Sequence, residues 1–217
     1  MGLSHSPRIA TDSLVTFLDA ANTKSYPGTG STWYDLTTNG RNATKGGSQS
    51  PTNPAFNSAK FFTFTGGVNG DNYSRFDVAI PTLSAITVLA FHYSTQAGGH
   101  VMRMTSEAFQ IGPDGYAAGT NYNNINCAKA DTLNAWICDA LTFSGTDLIG
   151  YRNGTAVSSA TRALTTLASG TLKIGTRSDN FTAHYVGNIA MVQIYSRVLT
   201  AAEIKQNFNA YRGRYGI

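Results

Sequence analysis

The sequence predicts one all-β domain, a two-sheet antiparallel β-sandwich closed by a single short C-terminal helix. Three observations lead there. Only 13% of residues are charged, against roughly 25% in an average domain, so Thr, Ser, Asn and the 22 Gly must cover the surface, a composition suited to strands joined by tight turns. Short β-branched and aromatic runs bounded by Gly, Pro, Asp or Asn recur along the chain, whereas helical spacing appears once. The length of 217 residues fits one sandwich, since such folds often reach roughly 200–250 residues as single domains. Residues 1–12 are set apart as an N-terminal arm, 13–212 as the sandwich and 213–217 as a tail.

In chain order, 14–18 is a short apolar strand that runs into the turn-rich stretch around Tyr26, Pro27 and Gly28. Trp33 and Tyr34 interrupt a Gly-, Asn- and Ser-rich segment reaching Pro54, and these aromatics are expected to pin it to the sandwich. Residues 61–65 alternate Phe and Thr, and 86–93 form the strongest strand of the chain. Further strands are expected at 101–105, 108–111, 136–143 and 148–152. Asn153-Gly154, between 149–152 and 155–157, demands a two-residue hairpin, because both central residues of a type I′ turn need positive φ. After 172–175 comes 189–195, apolar on both faces and therefore expected centrally in a sheet. Thr200 and Glu203 form a capping box, and Ile204, Phe208 and Tyr211 follow on one helical face that ends at Gly213.

Three stretches carry a resemblance to a known family. They are 14–22 with Tyr26-Pro27-Gly28 and 32–36; Trp136 and its strand followed by Tyr151-Arg152-Asn153-Gly154; and 172–175 through 187–195 to 199–204. In this order the chain resembles the concanavalin A-like lectin/glucanase superfamily, in its laminin G-like branch, and its opening looks like that of many bacteriophage members. The resemblance implies a two-sheet jelly roll of about a dozen strands. The segments 64–73 and 136–139 depart from the branch's usual patterns.

Composition limits the partners. The net charge of +4 comes from scarce acids, and Lys and Arg are scattered singly, which excludes a concentrated nucleic-acid patch. No apolar run approaches the roughly 18–20 residues that span a bilayer, and the first residues lack a leader's apolar core, so the expectation is a protein made in the cytoplasm without a membrane partner. In that compartment Cys127 and Cys138 are expected as free thiols, and the sequons at Asn42, Asn72, Asn153 and Asn180 carry no glycan.

Catalytic equipment is missing from the sequence. Glycosidases of the resembled fold use a Glu-x-Asp-x-Glu strand, because two carboxyls must flank the scissile bond. This chain has only Glu107 and Glu203, the latter a capping residue, and the pair Asp71 and Asp77 lacks a spacing that would aim both at one bond. The four His, at 5, 92, 100 and 184, sit in no metal or nucleophile motif, and His92 falls in a strong strand as a packed or rim residue. The expectation is a non-enzymatic protein without a cofactor. Laminin G-like relatives often bind calcium at a rim, and Asp71 in loop 66–73 or Asp179 in loop 177–180 would supply oxygen ligands, although Asn, Asp and Gly are also ordinary turn residues. For a sugar, the candidates on or near loops are Asn69, Asp71, Asn72, Tyr73, Tyr116, Tyr122, Asp179 and Asn180. Trp33 and Trp136 are read as anchors of loop and core. The resulting expectation is a bacteriophage virion protein, a capsid decoration or tail-associated surface protein packed against other virion proteins and copies of itself. The alternative is a carbohydrate-binding module for host or polysaccharide recognition.

Overall fold

Period-two burial marks residues 61–65 and 75–80 of the computed structural model, which describes residues 8–46, 54–66, 75–104, 109–112, 115–118, 125–128, 132–161, 169–176 and 184–217. The strands are β1 (Leu14–Asp19), β2 (Thr32–Trp33), β3 (Ala43–Gly46), β4 (Ala55–Asn57), β5 (Phe61–Thr65), β6 (Arg75–Ile80), β7 (Ile86–Ser94) and β8 (Met102–Met104). Then follow β9 (Phe109–Gly112), β10 (Gly115–Ala118), β11 (Ile125–Ala128), β12 (Trp136–Phe143), β13 (Asp147–Arg152), β14 (Thr155–Thr161), β15 (Gly170–Ile174) and β16 (Val186–Tyr195). The helix α1 (Ala201–Tyr211) and a 3₁₀ turn (Arg212–Arg214) close the chain.

Two antiparallel sheets result. The first runs β14-β13-β12-β7-β16-β5-β4, with β1 also on β16, and the second runs β11-β10-β9-β8-β15-β6-β3-β2. Between them lies a core that includes Phe62, Phe64, Phe76, Val88, Phe109, Ile111, Leu141 and Val192. This is the expected two-sheet jelly roll, with short pairings such as β2 and β4 raising the strand count above a dozen.

The strands that read as apolar on both faces do so because the first sheet is covered twice. Ile86, Val88 and Ala90 of β7 face the second sheet, while Leu89 and Phe91 face a separate cluster built with Met191, Tyr195, Ile204 and Phe208. Burying Ile204 and Phe208 there stabilises the docked helix by about 1.5–3 kcal/mol each. The helix begins as expected: Thr200 Oγ1 accepts from the Glu203 amide at 3.2 Å, and Glu203 Oε2 accepts from the Thr200 amide at 2.8 Å. It gives way to the 3₁₀ turn at Arg212, one residue before the expected stop. Residues beyond it, set apart in the sequence as a tail, pack on the sheet, where Tyr215 lies between Phe91 (4.9 Å) and Trp136 (4.8 Å).

The Asn153-Gly154 hairpin forms with φ of 51° and 74°. It is tied down by Asn153, which accepts from the Cys138 amide through Oδ1 at 2.9 Å. Gly154 is favoured by its φ, and a Cβ there would also push aside the Lys205 side chain, whose Cδ would lie 2.7 Å away. Trp33 is fully buried against Phe62 and Phe76, so the aromatic does pin the long loop. Cys138 is a buried free thiol on the first sheet, and the strand that carries Cys127 belongs to the second.

Candidate functional site

A cleft of about 460 Å³ opens on the helix-bearing side of the first sheet, lined by Ala21, Ala59, Lys60, Phe61, Trp136, Arg214 and Tyr215. Its aromatic wall follows from strand alternation. Phe62 and Phe64 of β5 point into the core, which forces Phe61 outward on the opposite face. Trp136 opens β12 directly opposite Tyr93 of β7, with ring centroids 5.8 Å apart, and meets Phe61 at 5.4 Å. Phe61, Trp136 and Tyr215 are all half-buried, held by one another yet reachable from solvent.

Two cations stand at the same cleft. Lys60 ends the turn between β4 and β5 in a left-handed conformation, φ 72°, and is exposed. Arg214 is fixed from two sides: Nη1 donates to both oxygens of the buried Asp19 at 2.8 and 2.9 Å, and the guanidinium lies 5.0 Å from the Tyr211 ring centroid. Burial opposes its charge, but the Asp19 carboxylate outweighs that and raises the Arg214 pKa. Burial pushes the Tyr215 hydroxyl above its ordinary range, so that phenol stays protonated.

A second polar constellation lies inside the sandwich. His92 Nε2 sits 3.0 Å from Asp139 Oδ2, and His92 Nδ1 lies 3.2 Å from the Tyr185 hydroxyl and 3.3 Å from Ser94 Oγ. Tyr116 crosses from the second sheet, and its hydroxyl, a single donor, lies 2.8 Å from Asp139 Oδ1 and 2.7 Å from the Tyr151 carbonyl oxygen. Arg152 Nε adds a 3.2 Å bond to the same carboxylate. Burial first and the Asp139 charge second push the Tyr116 hydroxyl pKa far upward, fixing it as a donor. Ser94, His92 and Asp139 repeat the order of a nucleophilic relay, but all three have no exposed surface, so no substrate reaches the hydroxyl. What this arrangement does is join β7, β12 and β13 to β10 through satisfied polar bonds.

The sequence-derived site residues fare as follows. Tyr116, expected near a loop as a sugar platform, is instead 2% exposed in the core, because β10 pairs between β9 and β11 and turns this ring inward over Gly150. Asn69, Asp71, Asn72, Tyr73, Tyr122, Asp179 and Asn180 lie outside the described residues, and with them both candidate calcium loops. Among the described residues no group of three or more His, Cys, Asp or Glu is placed to hold a metal. His92 is packed, not at a rim. Trp136, read as an anchor, is also the centre of the cleft. Phe61, Lys60, Arg214 and Tyr215 were not anticipated, although an outward Phe in the alternating run 61–65 was a readable signal.

Residues 69–205 match a known family model, that of the concanavalin A-like lectin/glucanases superfamily. The chain belongs to this superfamily. Similar solved structures include the binding domain of botulinum neurotoxin DC in complex with SialylT, at TM-score 0.64 and 13% identity over 92% of this chain and 52% of that one. A Trypanosoma rangeli sialidase in complex with sialic acid gives TM-score 0.63 and 15% identity over 95% of this chain and 34% of that one. A heptameric SAP-like pentraxin from Limulus polyphemus gives 0.54 and 17% over 66% and 78%. At these identities the likeness is one of fold, and this concanavalin A-like chain spans about half the length of the toxin domains it matches. No curated protein matches the sequence. No helix among the described residues is long and apolar enough to cross a membrane.

Proposed function

We propose that this concanavalin A-like domain is a non-catalytic carbohydrate-binding module whose sugar lies in the cleft of Phe61, Trp136 and Tyr215. The carrying observation is that three half-buried rings and two fixed or exposed cations converge on one concave site. The C–H faces of a pyranose carry partial positive charge and pack on the negative faces of aromatic rings, while cationic donors bond its oxygens. No carboxylate is among the described residues that line the cleft, so the acid and nucleophile of glycoside hydrolysis have no carrier there. Two structural neighbours were solved with SialylT and with sialic acid, which supports a glycan reading by analogy of fold.

The test is a glycan array followed by titration of the best ligand against wild type and Trp136→Ala. Loss of the central ring is expected to weaken binding at least about tenfold, a size typical of a well-packed aromatic anchor. Equal binding by both proteins removes the cleft as the site, and an array without any ligand removes the function.

A second reading places the same module on a bacteriophage particle, in contact with other virion proteins and with copies of itself. Its supports are the resemblance to phage members and the low charge of 13% with abundant Thr, Asn and Gly. Quantitative mass spectrometry of density-banded particles tests it: many copies per particle are expected, and absence from the band overturns it.

A further inference from the structure

We infer that the sugar taken by this cleft is an acidic one, with a carboxylate that meets Lys60 and Arg214; the inference rests on the carbohydrate reading above. Charge at the cleft is the starting point. Among the described residues, Lys60 and Arg214 are two cations at the cleft and Asp19 is the carboxylate paired with Arg214, which leaves a net positive charge beside a wall of aromatic rings. A neutral sugar would leave it so, whereas a ligand carboxylate would neutralise it.

Arg214 differs from a wandering surface cation. Its Nη1 makes both bonds to Asp19, a residue 3% exposed that is itself held by the Ser25 hydroxyl at its amide. Tyr211 lies under the guanidinium, and 38% of the side chain stays exposed. The guanidinium is thus oriented before any ligand arrives by Asp19 and by Tyr215 beside it, and a planar fork of this kind matches the two oxygens of a carboxylate better than the points of a tetrahedral anion. Preorganisation matters because the entropy of fixing a long side chain is already met by folding. Lys60 supplies the second positive charge from the turn beside Phe61, its Nζ 5.7 Å from the Phe56 ring centroid. The aromatic wall excludes water on one side, so the attraction is screened less than on an open surface.

The experiment is calorimetric titration at low and moderate salt with paired probes: 3′-sialyllactose against lactose, and an oligogalacturonate against its methyl ester, with 3′-sulfolactose as a third anionic probe. At least one carboxylated probe is expected to bind about tenfold or more tighter than its neutral partner, as charge-assisted hydrogen bonds allow, with a preference that shrinks as salt rises. Lys60→Gln should lower the affinity for the acidic member more than for the neutral one, and Arg214→Lys, which keeps a cation for Asp19 but loses the fork, should do the same. Equal affinity within both pairs overturns the acidic assignment while leaving the carbohydrate reading standing. A sulfated probe bound tighter than every carboxylated one overturns the carboxylate. Absence of binding by every probe and by every array glycan overturns the carbohydrate reading, and this inference falls with it.

Discussion

Tyr116→Phe separates the buried polar constellation from the cleft. The substitution removes one oxygen and leaves the ring in place over Gly150, so no cavity opens that a side chain could fill. It takes away the donor that lies 2.8 Å from Asp139 Oδ1 and 2.7 Å from the Tyr151 carbonyl. Asp139 keeps Arg152 and His92, so its charge remains compensated, and the loss falls mainly on one hydrogen bond to an ionised, fully buried acceptor. Such a loss costs about 2 kcal/mol, less than the roughly 3–5 kcal/mol for removing a whole partner from a buried charge pair. For a domain of 217 residues, at about 2–4 °C per kcal/mol, the melting temperature should fall by roughly 4–8 °C. Calorimetry gives the shift, and titration of the same protein with the best array glycan gives the affinity, which should not change. An unaltered melting temperature together with lost binding would refute the reasoning, since it would mean that Tyr116 faces ligand and not Asp139.

Gly150→Ala probes the same contact from the other strand: the new Cβ would stand 2.2 Å from Tyr116 Cδ2, so denaturant unfolding should show about 1–3 kcal/mol of lost stability, and a neutral result would mean the ring lies elsewhere. The Arg197 guanidinium, followed by the Thr200 amide, holds the Glu203 carboxyl at about 2, below its ordinary 4.5. A carboxyl depressed in the folded state stabilises fully above pH 4.5 and loses that contribution as pH falls from 4.5 towards 2. The wild-type melting curve should therefore decline through that window more than that of Glu203→Gln, and parallel curves would contradict the ion-paired cap. Burial, and then the Asp139 charge, push the Cys138 thiol well above its ordinary pKa. In a Cys127→Ser background Cys138 should resist a thiol reagent in the native protein and react fully in denaturant, and fast native labelling would contradict its burial.

Local chemistry made much of the fold legible. Phe62 and Phe64 alternate with Phe61, Thr63 and Thr65, and Asn153-Gly154 and the Thr200 to Glu203 box act within a few residues, so period and turn chemistry suffice to read them. Leu89 and Phe91 on one face of β7 and Val88 and Ala90 on the other showed that the strand is covered twice, though not by what. β6 was readable as well, since Phe76, Val78 and Ile80 alternate, although 75–80 is not among the strands expected from the sequence. Tyr116 was not readable: Gly-Tyr-Ala-Ala has little strand preference, and a one-residue change of register would turn the ring outward.

The sequence by itself determined an all-β sandwich with a capped C-terminal helix, a low charge content, and the presence of only two glutamates. Only the tertiary structure decided which side chains meet. His92 and Asp139 come together across adjacent strands from 47 residues apart, and Asp19 and Arg214 from 195. The cleft draws Lys60 and Phe61, Trp136, and Arg214 with Tyr215 from three distant parts of the chain. Periodicity fixes the face a side chain occupies within its own strand, but strand order and the docking of the C-terminal residues on the first sheet fix its neighbours, and those are set by packing free energy over the whole domain.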